Sequence, residues 1–402
     1  MKLTAPETAL LDAIDPAAML RNTLAWAQVN SGTGNLAGLA RVADMLGHAF
    51  AALPGEISLR EPAHVTTLDE AGREVDKLHG RHLVVRVRPE AERRFLLTGH
   101  MDTVFAADHA FQQVTWLDDT TLNGPGTADM KGGIAVLLAA LTAFETLPDA
   151  ALCGYDVLIN SDEETGSLSS APLIAGLARG KFAALTYEPS AMPDGTLAYE
   201  RGGSGNYSVC FTGRSAHAGR NPQDGRNALV AAADCAVRLK LMSHEDLPIN
   251  PARIDGGSAN NVVPDNAVLR FNIRPRSNQA AEDFLSDFND LLQVIEKLHE
   301  VSIHTHGGIT RPPKPVDEPA RRLFELVQSC GAALGQRIGW LDSGGVCDGN
   351  NIAACGVPVV DTMGVRGGSI HSAQEFMFVP SLHERAALSA LVLARLAQGE
   401  IL

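Results

Sequence analysis

Two adjacent glutamates, Glu163 and Glu164, follow a short apolar run and are the residues best suited to paired chemistry in this chain. The run at 157–159 predicts a buried strand, and Gly166 predicts a turn just beyond it. Because neighbouring side chains project in different directions, one carboxylate can bind a metal ion while the next faces a water molecule. Metal-assisted hydrolysis needs this division between a ligand and a general base. An exposed acidic loop is the alternative interpretation of the pair taken alone.

Other acidic and histidine residues follow apolar runs that also predict strands. Four of them lie shortly after such runs: His100, Asp102, Glu188 and His371. Asp129 lies in a glycine-rich loop, 123–133, that opens a predicted helix from about residue 131 to 147. Strands alternate with helices here, and in an open α/β sheet ligands bind at the carboxyl ends of the strands. We therefore expect these residues and the glutamate pair near one crevice.

The predicted crevice would collect an excess of negative charge. Its ionisable groups would include Asp129, Glu164, Glu188, His100 and His371. Without cations, three carboxylates beside two neutral imidazoles would raise their own pKa values and destabilise the fold. Two zinc ions would offset that charge, since oxygen and nitrogen ligands suit zinc. Cobalt and manganese suit similar ligands and remain alternatives.

The bulk composition indicates a globular protein with more than one domain. The chain has 402 residues, of which 45% are hydrophobic and 20% charged, so two domains with proper cores are expected. Its formal net charge of −14 argues against nucleic-acid and anionic-membrane partners, which favour basic patches. Local arginines can still bind an anionic substrate.

The cysteines and the apolar segments indicate a cytoplasmic protein. The six cysteines are scattered without a CxxC pair, so we do not expect a thiolate zinc site. We expect the thiols to be reduced. The first residues lack the apolar region of a signal peptide, and we predict no transmembrane helix.

The middle of the chain has a different pattern from the rest. Predicted strands at 207–211, near 253, at 268–274 and at 301–306 are interleaved with predicted helices at 227–243 and 280–299. This order, β-α-β-β-α-β, is the split βαβ pattern. We interpret it as a compact domain inserted near residues 200–310, with prolines at 312, 313 and 315 marking the return linker.

Five segments, in order, resemble the di-zinc exopeptidase and deacylase family, which includes carboxypeptidase G, acetylornithine deacetylase, succinyl-diaminopimelate desuccinylase and aminoacylase. They read Gly-His-Met-Asp-Thr-Val, Gly-Thr-Ala-Asp-Met-Lys-Gly-Gly, Ser-Asp-Glu-Glu-Thr-Gly-Ser, Glu-Pro-Ser and His-Ser-Ala-Gln-Glu, between about residues 95 and 375. The resemblance implies an α/β fold. A catalytic zinc domain (1–199 and 311–402) would have a mixed central sheet flanked by helices. The inserted domain (200–310) would be an α+β, ferredoxin-like lid and dimerisation domain.

The same resemblance implies a role for each residue of the crevice. His100 and Glu188 would bind one zinc, Glu164 and His371 would bind the other, and Asp129 would bridge them. Relatives often have a cis peptide just after this aspartate. Asp102 would orient the imidazole of His100. Glu163 would be the general base that takes a proton from water and returns it to the leaving amine.

In the inserted domain, the resemblance implies five further contacts. His217 would stabilise the oxyanion in the active site of the other subunit, although an exposed loop histidine is the simpler interpretation of that residue alone. Asn261 would contact the substrate. Arg274 would hold a substrate carboxylate, and Arg311 and Arg201 are weaker candidates for the same task.

These expectations lead to a functional hypothesis with alternatives. We expect a zinc-dependent metallo-exopeptidase or amidohydrolase, of carboxypeptidase G type and dimeric, that cleaves the amide bond of small peptides or N-acyl amino acids with a free carboxylate. A biosynthetic deacylase of the acetylornithine or desuccinylase type is the second interpretation, and a catalytically inactive binding homologue is the third. In glutamate-releasing relatives a basic side chain follows the Glu-Pro-Ser segment closely, whereas residues 191–196 have none. The side-chain preference therefore stays open.

Overall fold

The computed structural model describes residues 3–399, and the chain divides into two compact units. The first unit consists of Met1–Ala63, Leu78–Glu200 and Val316–Leu402, and the second of His64–Lys77 and Arg201–Pro315. The second unit thus contains residues 64–77 and 311–315, which the sequence analysis had placed in the catalytic domain.

The helices, in chain order, are α1 (Ala5–Asp12), α2 (Pro16–Ala27), α3 (Leu36–Phe50), α4 (Gly132–Phe144), α5 (Ala171–Ala178), α6 (Ala228–Met242), α7 (Asn278–His299), α8 (Glu318–Ala333), α9 (Asp348–Ala353) and α10 (Pro380–Ala397). The strands are β1 (Glu56–Arg60), β2 (Thr66–Leu68), β3 (Glu74–Asp76), β4 (His82–Val87), β5 (Arg93–His100), β6 (Thr115–Trp116), β7 (Thr121–Asn123), β8 (Cys153–Asn160), β9 (Ala183–Thr186), β10 (Leu197–Arg201), β11 (Ser204–Thr212), β12 (Ile249–Gly256), β13 (Asn266–Ile273), β14 (Ser302–Arg311), β15 (Trp340–Ser343), β16 (Val359–Val360), β17 (Gly367–Gly368) and β18 (Phe376–Phe378).

The first unit is built on a mixed six-stranded sheet in the order β1-β4-β8-β5-β9-β16. Strands β8, β5, β9 and β16 run parallel, whereas β1 and β4 are antiparallel to their neighbours. Strand side chains alternate between two apolar cores, so that Leu97 packs with α2, α3, α4 and α10 while Leu96 packs with α5 and α9. Apolar cover on both faces explains why these strands read as continuous hydrophobic runs.

Helix α4 lies in the larger core and begins directly after the glycine-rich loop. It is almost wholly apolar, and Thr127–Phe144 has the length and hydropathy of a membrane span, but 89% of that window is buried inside the protein. It is a core helix by this measure. Its start positions Asp129, and the peptide bond Asp129–Met130 is cis, as the family resemblance predicted.

The second unit has the predicted β-α-β-β-α-β order. Strands β11, β12, β13 and β14 form an antiparallel sheet in the order β12-β13-β11-β14, and α6 and α7 cover one face. Four rings, Tyr207, Phe271, Phe284 and Phe288, pack against one another in its core. The hairpin of β2 and β3 also belongs to this unit, where Thr66 Oγ1 lies 3.1 Å from Nε2 of His306 on β14. The α/β fold with a ferredoxin-like inserted domain is confirmed.

Candidate active site

Three parallel strands of the first unit end at one edge of the sheet, and each delivers candidate site residues. Strand β5 ends at His100, β8 ends three residues before Glu163, and β9 ends two residues before Glu188. Because β5 pairs in parallel with both β8 and β9, these ends are neighbours. The sheet topology therefore brings together side chains that lie far apart in the sequence.

The buried carboxylate of Asp129 lies between two imidazoles. Its Oδ1 is 3.0 Å from Nε2 of His100, and its Oδ2 is 3.3 Å from Nε2 of His371. Each oxygen of one carboxylate thus faces a different imidazole. This is the arrangement that a ligand bridging two ions needs.

Two further carboxylates lie on either side of this bridge. Oε2 of Glu188 is 3.6 Å from Nε2 of His100, and Oε2 of Glu164 is 3.2 Å from Nε2 of His371. The other oxygen of each glutamate, Oε1, is buried and has no hydrogen-bond partner within residues 3–399. A buried acceptor without a donor is costly. Divalent cations would satisfy both oxygens, so the donor set fits zinc.

The tautomer of His100 is set by its own loop. Nδ1 of His100 lies 3.0 Å from the backbone oxygen of Asp102, and a carbonyl can only accept, so Nδ1 carries the proton. In the neutral ring the lone pair is then on Nε2, which faces Asp129 and Glu188. A metal-binding histidine needs this orientation.

The carboxylate of Asp102 holds the turn that carries the glutamate pair. Its Oδ1 accepts the backbone N–H of Glu163, and its Oδ2 accepts that of Glu164, both at 3.2 Å. The hydroxyl of Thr33 donates to Oδ2 at 2.7 Å, and Oδ1 lies 3.4 Å from Nδ1 of His100. Asp102 therefore supports the glutamate turn as well as the imidazole that the family resemblance assigned to it.

Burial and the close approach of charged groups shift the pKa values of several members of the cluster. Burial and the neighbouring Asp129 raise the pKa of Glu164 to about 7. Hydrogen bonds to Asp129 and Glu164 raise the pKa of His371 to about 10. Burial would lower the pKa of His100, but Glu188 and hydrogen bonds to carboxylates raise it well above its ordinary value. A cluster with this excess of buried carboxylates suits a divalent cation.

Glu163 lies beside the cluster rather than within the Asp129 bridge. One oxygen of its half-buried carboxylate lies within 4.8 Å of donor atoms of His100 and Glu188. Its neighbour Glu164 instead shares such a group with His100 and Asp129. The adjacent glutamates thus join different groups of donor atoms, as the alternating direction of their side chains predicts.

His217 and Asn261 lie on two loops of the second unit that pair with each other. The N–H of Ala218 donates to the carbonyl of Asn261, and both predicted site residues are exposed. Nδ1 of His217 accepts the N–H groups of Gly219 and Arg220 at 3.1 and 3.2 Å. The ring proton is therefore on Nε2, which leaves His217 a hydrogen-bond donor.

The three arginines predicted to bind substrate lie in different environments of the second unit. Arg274 is exposed, and its Nε donates to Oδ1 of Asn272 at 2.9 Å. Arg201 and Arg311 are buried, and Arg311 is the last residue of β14. Of the three, Arg274 alone is exposed; it directly follows β13.

Two residues near the site had no predicted role. Thr33 lies between α2 and α3, and Glu375 closes the His-Ser-Ala-Gln-Glu segment. Both contact site residues from distant parts of the chain, across 69 positions for Thr33 and 246 for Glu375. The sequence shows that Glu375 is an acidic residue four positions after His371, but it does not reveal the backbone groups to which Glu375 is hydrogen-bonded.

Comparison with known proteins identifies the class. The profile described as Peptidase family M20/M25/M40 matches residues 96–395. The chain is 27% identical over 377 residues to carboxypeptidase G2 of Pseudomonas sp. (strain RS-16), which covers 92% of this chain and 88% of that protein. It is 29% identical over 323 residues to succinyl-diaminopimelate desuccinylase of Rhodospirillum centenum, covering 75% of this chain and 81% of that protein.

Solved structures share the fold. A tripeptidase from Staphylococcus aureus matches with a TM-score of 0.72 and 24% identity, covering 96% of this chain and all (100%) of that one. An M20 family metallo-carboxypeptidase from Sulfolobus solfataricus matches with a TM-score of 0.69 and 14% identity, and the match covers 93% of this chain and 98% of that one. The family match and the relatives show a metal-dependent hydrolase. The chain belongs to peptidase family M20/M25/M40 and hydrolyses peptides or acyl amino acids.

Proposed function

We propose that this hydrolase uses two zinc ions to cleave the amide bond of small peptides or N-acyl amino acids that carry a free carboxylate. The observation that supports this best is the Asp129 carboxylate, whose two oxygens face different imidazoles. His100 and Glu188 would hold one ion, and Glu164 and His371 the other. Zinc held there would lower the pKa of a water molecule and polarise the amide carbonyl.

Glu163 is the general base in this proposal. Its carboxylate takes a proton from the attacking water and passes it to the nitrogen of the leaving amine as the C–N bond breaks. Support comes from its place beside His100 and Glu188. Asp102 holds the backbone of the turn, which limits the motion of the base.

His217 is the proposed donor to the oxyanion, supplied by the second subunit of a homodimer. Its Nε2–H is available as a donor because Nδ1 accepts two backbone N–H groups. Helix α6 supports dimerisation through the second unit. Val230, Val237 and Leu241 lie at helical spacing on one face and are 51%, 60% and 79% exposed.

Asn261 and Arg274 are the proposed contacts to the substrate, with Arg201 and Arg311 as further candidates. An exposed guanidinium such as Arg274 suits bidentate recognition of a carboxylate.

We propose carboxypeptidase action as the leading subtype, because the match to carboxypeptidase G2 covers 92% of this chain. Desuccinylase action is the second candidate, favoured by the 29% identity to succinyl-diaminopimelate desuccinylase. Six free thiols favour a reducing, cytoplasmic setting.

A substrate panel tests the proposal. Purified protein loaded with zinc or cobalt is assayed on dipeptides, N-acyl amino acids and N-succinyl amino acids. Turnover of peptides with a free carboxylate supports the leading subtype, and a preference for succinyl amides supports the second. Absence of turnover on every member, with two metal ions bound, would leave only a binding protein on this scaffold.

A further inference from the structure

A further buried glutamate, Glu375, lies next to the candidate metal ligands and contacts the backbone of one of them, Asp129. Glu375 is fully buried, at 0% exposure, and follows His371 by four residues in the turn before β18. Its own N–H donates to the carbonyl of Ser372 at 3.1 Å, which closes that turn. A buried carboxylate is costly unless donors surround it, so the donors it has collected indicate its role.

Backbone N–H groups of the glycine-rich loop donate to the Glu375 carboxylate. Oε1 accepts from Ala128 at 2.9 Å and from Asp129 at 3.0 Å, and Oε2 accepts from Gly126 at 3.1 Å. The backbone oxygen of Glu375 in turn accepts the side-chain amide of Asn123 at 2.7 Å. One residue thus fixes the loop from Asn123 to Asp129.

This loop has an irregular backbone that needs an external anchor. Gly126 has a φ of 73°, and Asp129 has non-helical angles of −114° and 90°. Its N–H groups precede the regular hydrogen bonding of α4, where helical partners are missing. Glu375 supplies the acceptors that the loop itself lacks.

The consequence for the site is that Asp129 is held from two directions. Its N–H is bound by Glu375, while its carboxylate oxygens face His100 and His371. Since Glu375 and His371 belong to one short segment, that segment fixes both a terminal ligand candidate and the bridging one. Lys131 is also buried, and the negative charge of Glu375 favours its charged form.

We propose that Glu375 is a positioning residue for the metal centre: it fixes the backbone of Asp129 so that the bridging carboxylate meets both ions. This inference rests on the proposed function. It requires a carboxylate, because an amide offers a single acceptor oxygen and directs an NH₂ donor at backbone N–H groups. Supporting groups behind metal ligands typically contribute about 10–100-fold to metal affinity.

The test compares Glu375→Gln with Glu7→Gln, a matched control. Glu7 is also a buried carboxylate of the first unit, and it accepts the N–H of Thr4 at 2.7 Å and the Nε–H of Arg395 at 2.9 Å. The residue after Arg395, Leu396, accepts a hydrogen bond from Arg93 at the start of β5, which is the end of that strand opposite His100. Zinc affinity is measured by competition with a chromophoric chelator, at a temperature where circular dichroism shows both variants folded. The visible spectrum of the cobalt-loaded proteins is recorded as well.

We expect Glu375→Gln to weaken zinc binding by about 10–100-fold and to alter the cobalt spectrum, while Glu7→Gln changes neither. Glu375→Asp keeps the charge on a shorter side chain and should give a smaller loss of zinc affinity. It replaces the glutamine variant in the test if that variant does not fold. Wild-type zinc affinity and cobalt spectrum in the Glu375 variants would overturn the inference. Failure of the wild-type protein to bind zinc would instead overturn the proposed function.

Discussion

At the scale of single residues, Glu163 and Glu164 have different tasks although they are adjacent. Glu164 faces His371 and carries a buried oxygen without a donor, whereas Glu163 lies beside His100 and Glu188. A change at Glu164 should therefore affect metal content, and a change at Glu163 should affect turnover.

Glu163→Gln should lower kcat by roughly 10²–10⁴-fold with unchanged zinc content, because the amide cannot accept the proton of the attacking water. Metal analysis and steady-state kinetics on the same preparation measure both quantities. Glu90→Gln is the matched control, since it removes one charge from an exposed position in the turn before β5, at the opposite end of that strand from His100. Wild-type kcat in the Glu163 variant would show that the base is another group.

The sequence predicted the candidate site residues better than the residues that hold them in place. His100, Glu163 and Glu188 follow strongly apolar strands, so their position at the strand ends could be inferred from local pattern. Thr33 and Glu375 act through hydrogen bonds to groups 69 and 246 positions away. Backbone donors have no sequence signature, and hence no periodicity could reveal these partners.

At the scale of elements, close packing between α4 and β9 sets the position of Glu188. A Cβ on Gly133 would lie 2.0 Å from the carbonyl oxygen of Tyr187, the residue before Glu188. A helix can approach a strand so closely only where it has no side chain. The second glycine at the start of α4 is therefore a packing requirement of the site.

Gly133→Ala should destabilise the protein by about 1–3 kcal/mol and reduce zinc affinity, because the methyl group displaces the strand end that carries Glu188. Gly176→Ala is the matched control within a helix. Apart from the helix's own backbone and the adjacent residues, no atom of residues 3–399 lies within 4 Å of a Cβ added there, so it should be neutral or stabilising by up to about 1 kcal/mol. Urea denaturation and zinc titration measure the two effects. Equal stability of the two variants would contradict the packing argument.

Two long elements were predicted closely, whereas several short ones were missed, and the long helices α8 and α10 carried no prediction. The helix predicted at 280–299 is Asn278–His299, and the strand predicted at 268–274 is Asn266–Ile273, because both have a clear apolar period. The sheet of β17, β18, β7 and β6 was missed, since strands of two or three residues have too few positions to show alternation. The hairpin of β2 and β3 was missed for the same reason.

At the scale of the whole molecule, the exposed apolar residues Val230, Val237 and Leu241 on α6 support the proposed dimer. Val237→Glu should convert the proposed dimer to a monomer, because it places a charge among these apolar residues. Light scattering after size exclusion measures the mass, and activity should fall with it if His217 acts across the interface. Leu152→Glu, at a position 70% exposed on the first unit, is the control and should leave the mass unchanged. A dimeric Val237 variant would place the interface elsewhere.

Metal removal should destabilise the protein more at pH 8 than at pH 6. Without metal, the folded state binds protons more tightly than the unfolded chain at Glu164, with a pKa of about 7, and at His371, with a pKa of about 10. A group whose pKa is raised on folding loses stabilisation as the pH rises, for Glu164 between about 4.5 and 7 and for His371 between about 6.5 and 10. The Tm of the chelated protein should therefore fall between pH 6 and pH 8. Bound zinc stabilises the folded state, so the difference in Tm between the zinc-loaded and chelated proteins should be larger at pH 8.

Calorimetry at the two pH values, with and without chelator, checks this expectation. Glu164→Gln should remove part of the pH dependence, since the amide does not titrate. A chelated protein with a higher Tm at pH 8 than at pH 6 would contradict the assignment of raised pKa values to this cluster.

The contact between Glu375 and the loop at Asp129 also has a consequence for biosynthesis. The ribosome adds Glu375 246 residues after Asp129, and His371 arrives only just before it. Strands β5, β8 and β9 therefore emerge with their acidic ends while the anchor and one imidazole are still untranslated. Ion capture by the finished centre must follow synthesis of this late segment, so a stalled nascent chain that ends before it would be unable to mature.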